Sequence, residues 1–189
     1  MKKLMIAAVA AVFGIAANAA SVQWNVSNNG ATDKGGTTLA SGSTIYFVLA
    51  SQESTVVDAL KAGTLSDSTT GVLGTQTTTN TRGKTGTATV TGKGLTLTPE
   101  GKGVSTDFKI LVVDTTTVSG ETWYKLSGVL SANTYDESAE VPVPTTATFT
   151  STQWAGGTAW TQAQAAPEPT SAMLMLLGFA GLALRRRRA

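Results

Sequence analysis

Apolar and polar residues in the central part of the chain follow the patterns of short β-strands. Residues 43–49 and 108–113 are mainly apolar, β-branched or aromatic, and each run has the length of a buried strand. Residues 22–26 alternate apolar and polar positions, as a half-exposed strand does. About seven such strands, in a chain with 33 threonines, predict an all-β fold. Their spacing favours an antiparallel β-sandwich with a Greek-key or jelly-roll layout.

Two strand pairings can be specified from the residues. Within 87–98, a two-residue turn at Gly92-Lys93 would form a β-hairpin, with Gly92 supplying the positive φ of a type II′ turn. This register faces Val90 with Leu95 and Ala88 with Leu97. A second pairing is predicted between 108–113 and 122–126.

One short helix interrupts the strand pattern. Ser54 can cap a helix over 55–62, and Gly63 would end it. Three apolar residues at helical spacing then form one stripe: Val56, Val57 and Leu60.

The N-terminus has the three parts of a secretory signal peptide. Lys2 and Lys3 precede an apolar run over 4–17, which is too short for a membrane helix. The small residues of 17–19 then predict cleavage by signal peptidase between Ala19 and Ala20.

The C-terminus combines three unlike elements. The triplet Pro167, Glu168 and Pro169 disfavours helix, and an apolar run over 173–184 follows it. A cluster of basic residues closes the chain: Arg185, Arg186, Arg187 and Arg188. The apolar run predicts a membrane helix, and the arginines predict a stop-transfer signal that stays in the cytoplasm.

This C-terminal arrangement resembles the PEP-CTERM sorting signal of Gram-negative bacteria. The resemblance implies that an exosortase, a membrane-embedded cysteine transpeptidase, recognises Pro167, Glu168 and Pro169 as its substrate. It further implies an inner-membrane precursor and a final place at the cell surface, in the outer envelope or in the extracellular matrix. Proteins with this signal are often encoded beside exopolysaccharide production, which makes exopolysaccharide a candidate partner.

The chain therefore divides into four parts: a signal peptide (1–19), a β-sandwich domain (20–154), a spacer (155–166) and a sorting signal (167–189). The formal net charge of +2 comes from the ends, because 20–168 holds eight Lys or Arg against twelve Asp or Glu, a net charge of −4. A nucleic-acid partner is not expected from such a domain.

The 189 residues contain neither cysteine nor histidine. This excludes disulfides, cysteine nucleophiles and histidine-based triads, and we predict no enzyme activity, no cofactor and no metal. The acidic residues Asp136, Glu137 and Glu140 are interpreted as a solvated loop, since they lack the spacing of a calcium loop.

The four tryptophans leave two functions open. Trp24 and Trp123 lie in strand patterns and are expected in the core. Trp154 and Trp160 flank Gly156-Gly157, where they would lie in the core or at the membrane interface, or would stack on sugar rings. The first hypothesis is a non-catalytic surface or matrix protein, and the alternative is a carbohydrate-binding module.

Overall fold

The computed structural model describes residues 19–79, 82–117 and 119–164. These residues form ten strands, two α-helices and one 3-10 turn. The strands are β1 (Ala20–Val26), β2 (Thr44–Leu49), β3 (Val72–Thr77), β4 (Ala88–Thr91), β5 (Ser105–Asp114), β6 (Thr122–Leu126), β7 (Leu130–Asn133), β8 (Tyr135–Asp136), β9 (Thr146–Phe149) and β10 (Thr161–Gln164). The 3-10 turn is Ala50–Gln52, and the helices are α1 (Glu53–Lys61) and α2 (Ser151–Ala155).

The strands form two sheets. In the first sheet, β1 lies between β4 on one side and β8 and β9 on the other. The second sheet has the order β10-β6-β5-β2-β3, and β7 also pairs with β5. All pairings are antiparallel except that of β1 with β9, which is parallel. The prediction of a mainly antiparallel β fold is confirmed.

Side chains from both sheets share one aromatic core. Trp24 of β1 stacks on Phe47 of β2, with ring centroids 4.8 Å apart and an interplanar angle of 8°. Phe108 and Phe149 lie around Phe47 at centroid distances of 4.9 and 6.1 Å. All four side chains are fully buried, so the two sheets pack face to face through them.

Helix α1 covers the outer face of the second sheet. Its predicted stripe is confirmed: Val56, Val57 and Leu60 are buried. They pack against side chains of that sheet, including Leu111 and Tyr124. The predicted capping by Ser54 is wrong, because the preceding 3-10 turn lets the helix begin at Glu53, with Gln52 as N-cap and no side-chain cap.

One of the two predicted pairings is confirmed. β5 pairs with β6, with Leu111 opposite Leu126. The predicted hairpin within 87–98 is wrong, because β4 pairs with β1, where Val90 lies opposite the fully buried Val22. Positive φ angles at Gly92, Lys93 and Gly94 turn the chain away from β4. Leu97 therefore forms an isolated bridge with Gly103 and does not pair with Ala88.

The predicted spacer over 155–166 is wrong for part of its length, because it includes the end of α2 and all of β10. α2 ends at Ala155, and β10 pairs with β6 as an edge strand of the second sheet. The apolar runs predicted for the signal peptide and the membrane helix lie outside the described residues. Within 19–79, 82–117 and 119–164, no helix has the length and apolar character needed to span a membrane.

The outer face of the first sheet carries uncharged polar side chains. Gln23 and Asn25 of β1 are half-buried and alternate with core residues of the same strand. Asn25 Nδ2 donates to Thr87 Oγ1 at 3.2 Å, and Thr146 Oγ1 donates to Gln23 Oε1 at 3.1 Å. The flanking strands add four exposed threonines: Thr89, Thr91, Thr146 and Thr148.

Candidate functional site

The predicted signal-peptide cleavage site, between Ala19 and Ala20, lies at the start of the folded domain. Ala20 is the first residue of β1 and is only 4% exposed. Its carbonyl oxygen accepts a hydrogen bond from the Gly92 N–H at 2.8 Å, and it lies opposite Asp136 of β8. Cleavage here stays a prediction, and it requires signal peptidase to act before β1 is paired.

The predicted sorting residues follow directly after the second sheet. β10 ends at Gln164, which lies opposite Thr122 of β6. The recognition and stop-transfer residues themselves lie outside the described residues: Pro167, Glu168, Pro169, Arg185, Arg186, Arg187 and Arg188.

The tryptophans considered for sugar stacking are placed in or against the core. Trp154 of α2 is 5% exposed, and its Nε1–H donates to Thr32 Oγ1 at 3.0 Å. Lys125 Nζ lies 4.6 Å from the Trp154 ring centroid, and the half-buried Trp160 meets that ring edge-on at 6.1 Å. Trp154 therefore presents no free ring face to a sugar.

The other two tryptophans differ in burial. Trp24 is fully buried, as expected. Trp123 is half-buried rather than part of the core, and Lys34 Nζ lies 4.1 Å from its ring centroid. Its Nε1–H donates to Glu121 Oε2 at 2.6 Å, so both the ring and the N–H already have partners.

The acidic residues lie on and after β8. Glu137 Oε2 accepts hydrogen bonds from Ser21 Oγ at 2.8 Å and Thr91 Oγ1 at 2.9 Å. Asp136 accepts from the Ser138 N–H at 2.9 Å, and Glu140 is exposed. Among the described residues no three carboxylates come together as a metal site would need.

Asp114, at the end of β5, has a strongly shifted pKa. Burial alone would raise the pKa of Asp114, but hydrogen bonds from Thr117, Thr116 and the Lys34 N–H favour its ionised form and hold the pKa well below its usual range. The Lys34 N–H lies 3.1 Å from Asp114 Oδ2. Because Lys34 lies between β1 and β2, this carboxylate ties that loop to the end of β5.

A cleft of about 550 Å³ opens where loops of the two sheets meet. On one side lie Leu49, the last residue of β2, and Val72, the first residue of β3. On the other side lie Lys93 and Gly94, in the turn after β4. A cleft of this size at the loop end of a β-sandwich is a typical position for a ligand site.

The charged residues of this cleft are Lys93 and Asp67, and a hydrogen bond joins them. Lys93 Nζ donates to the Asp67 carbonyl oxygen at 3.1 Å, which ties the turn of the first sheet to a loop of the second. Thr75 Oγ1 donates to Asp67 Oδ2 at 3.3 Å. Burial and the nearby Asp67 carboxylate raise the pKa of Tyr46.

The backbone at the cleft depends on one glycine. Gly71 has φ +91°, and a Cβ placed there would collide with Cβ of Gln52, at the start of α1. Glycine thus allows the loop to pass close to the helix and form one wall of the cleft.

Comparison with known families identifies the C-terminal segment. Residues 165–188 match the family model of the PEP-CTERM protein-sorting motif. The resemblance noted in the sequence is confirmed, and the motif implies an exported protein that an exosortase processes at the membrane. No curated protein and no solved structure matches the chain. The match begins where β10 ends, so the folded domain lies outside it.

Proposed function

We propose that this chain is a non-catalytic protein of the cell surface, outer envelope or extracellular matrix of a Gram-negative bacterium. In this proposal, signal peptidase removes 1–19, and the precursor stays in the inner membrane until an exosortase recognises Pro167, Glu168 and Pro169. The observation that best supports this proposal is the match to the sorting motif at 165–188, which begins directly after the edge strand β10. The domain is then the cargo that processing delivers.

The residue types available support a non-catalytic role. Without histidine or cysteine, the chain can form neither a Ser-His-Asp triad nor a cysteine nucleophile, two arrangements that many hydrolases use. Asp114, the carboxylate with a strongly lowered pKa, accepts its hydrogen bonds from the turn between β5 and β6 and from the loop between β1 and β2. A low pKa supported by several donors is typical of a structural carboxylate rather than a general acid.

Replacement of Pro167, Glu168 and Pro169 by alanine tests the sorting proposal. We expect the variant to accumulate as a full-length inner-membrane protein, because the apolar run remains and the recognition triplet does not. The matched control replaces the exposed triplet Pro142-Val143-Pro144, which has the same Pro-x-Pro spacing within the domain. The measurement is the mass of the C-terminal peptide from envelope and culture medium.

The two outcomes separate clearly. Loss of processing in the first variant but not in the control supports recognition of the triplet. Normal processing of the first variant would contradict recognition of the triplet, whereas a wild-type C-terminal peptide that still ends at Ala189 would indicate an ordinary membrane anchor.

The second candidate function is a carbohydrate-binding module for the cell's exopolysaccharide. The cleft between the sheets favours it, since hydroxyl, amide and charged groups line it together with the aliphatic side chains of Leu49 and Val72. The test is co-sedimentation of the full-length protein with exopolysaccharide purified from the same cells. Binding that survives high salt supports this function, and absence of co-sedimentation contradicts it.

A further inference from the structure

We propose that the cleft between the sheets binds an uncharged sugar residue, with Lys93, Asp67, Ser51 and Thr70 as its polar contacts. This inference rests on the second candidate function, carbohydrate binding, and assigns it a place and a ligand class. It goes beyond the sequence interpretation, in which Gly92-Lys93-Gly94 is only a turn.

The polar groups of the cleft retain free hydrogen-bonding capacity. Ser51 and Thr70 line the cleft, and their hydroxyls have no partner among the described residues. Lys93 uses one of its three N–H groups on the Asp67 carbonyl oxygen. Asp67 accepts from Thr75 through Oδ2, which leaves Oδ1 available. Donors and acceptors thus occur together, as the hydroxyl groups of a sugar require.

The charge of the cleft favours a neutral ligand. Asp67 and Lys93 are the charged residues of its lining, and their formal charges cancel. An anionic sugar would bring its carboxylate to Lys93 but also close to the Asp67 carboxylate. An uncharged residue can accept from the ammonium group and donate to the carboxylate without such repulsion.

The remaining lining suits the apolar faces of a sugar ring. Leu49 and Val72 supply aliphatic surface at the ends of β2 and β3. The walls are positioned by backbone rather than by flexible side chains, since Gly71 packs on Gln52 and Lys93 has φ +50°. A site formed in advance by such contacts loses little entropy when it binds.

The experiment is an amide chemical-shift titration of the full-length protein, in a detergent without a sugar headgroup. The probes are D-glucose, D-galactose, D-mannose and, as the anionic comparison, D-glucuronate. We expect a neutral sugar to shift amides in 49–52, 67–72 and 93–94, with millimolar affinity. D-glucuronate should bind more weakly.

Variants assign the effect to the cleft. Lys93→Met keeps an unbranched side chain of nearly the same length and should weaken binding of the neutral sugar about tenfold, because it removes a charged hydrogen-bond donor. Lys102→Met is the matched control, since Lys102 is exposed and also lies between two glycines. Thr70→Val, with the exposed Thr148→Val as control, removes one hydroxyl at nearly constant volume. An unchanged melting temperature shows that each variant is folded.

Each failure has a distinct meaning. This site is overturned if the shifts are confined to other segments, or if Lys93→Met binds the sugar as well as the wild type does. Carbohydrate binding by the protein would still stand in that case if the protein co-sediments with exopolysaccharide. Stronger binding of D-glucuronate overturns the neutral ligand class. No shift with any neutral sugar, together with no co-sedimentation, overturns both the site and the second candidate function.

Discussion

The two sheets share one core but differ on their outer faces. The outer face of the second sheet is apolar, and α1 covers it with Val56, Val57 and Leu60. The outer face of the first sheet is a grid of hydroxyl and amide groups centred on Gln23 and Asn25. The domain therefore has three layers, and the polar outer layer is the first sheet itself.

The difference is already present in the strand sequences. β2 and β5 contain continuous apolar stretches and are buried on both faces. β1 alternates Val22, Trp24 and Val26 with polar residues, so one of its faces needs no cover. Strand periodicity thus indicates which sheet requires a helix against it, although it does not identify the helix.

The largest effect on stability is expected from weakening the contact between α1 and the second sheet. Leu60 is 6% exposed, and Leu60→Ala should lower the free energy of unfolding by about 2–4 kcal/mol, because it leaves a cavity between α1 and the sheet. Urea unfolding measures the change. Asp58→Ala, at an exposed position of the same helix, is the control and should change stability by less than about 0.5 kcal/mol. Equal effects of the two substitutions would contradict a covering role for α1.

A smaller effect is expected at Asp114, which ties the loop between β1 and β2 to the end of β5. Asp114→Asn should cost about 1–3 kcal/mol at neutral pH, because the donors of Thr116, Thr117 and Lys34 lose an ionised acceptor.

The same substitution should change the pH dependence of stability. The pKa of Asp114 is lower in the folded than in the unfolded state, so its contribution is complete above pH of about 4 and is lost as the pH falls further. The stability difference between wild type and Asp114→Asn should therefore shrink below this pH. Urea unfolding across the acid range measures it, and a constant difference would contradict the assignment.

The smallest effect is expected on the grid of the first sheet. Thr89→Val and Thr148→Val, both at exposed positions, should change the free energy of unfolding by less than about 0.5 kcal/mol. A loss well above this value, measured by urea unfolding, would show that the face is covered in the native protein and would remove the contrast between the sheets.

Local patterns predict part of this architecture. The pairing of β5 with β6 follows from two apolar runs separated by one short connection, and the stripe of α1 follows from helical spacing. The hairpin prediction is wrong because Val90 and Leu95 fit two arrangements, and only the burial of Val22 beside Val90 favours the observed one. β10 is polar and gives no strand signal of its own, so the spacer prediction extends over it.

The two candidate sites, the sorting motif and the cleft, also differ in how far the sequence predicts them. The sorting motif is continuous in sequence, so residues 165–188 could be identified from their order alone. The cleft combines the ends of β2 and β3 with the turn after β4 and the loop at Asp67. These segments meet only through sheet pairing, and no local spacing marks Ser51 or Thr70 as neighbours of Lys93.

The parallel pairing of β1 with β9 has a consequence for the order of folding. Gln23 lies opposite Thr146, so the contact closes a loop from residue 23 to residue 146. Such closure is slow, and it cannot begin until the second partner has emerged from the translocation pore. The pairing of β1 with β9 therefore forms late, after residues 146–149 have crossed the membrane. Once Phe149 has joined Val26, little of the domain remains to be exported before the sorting motif arrives.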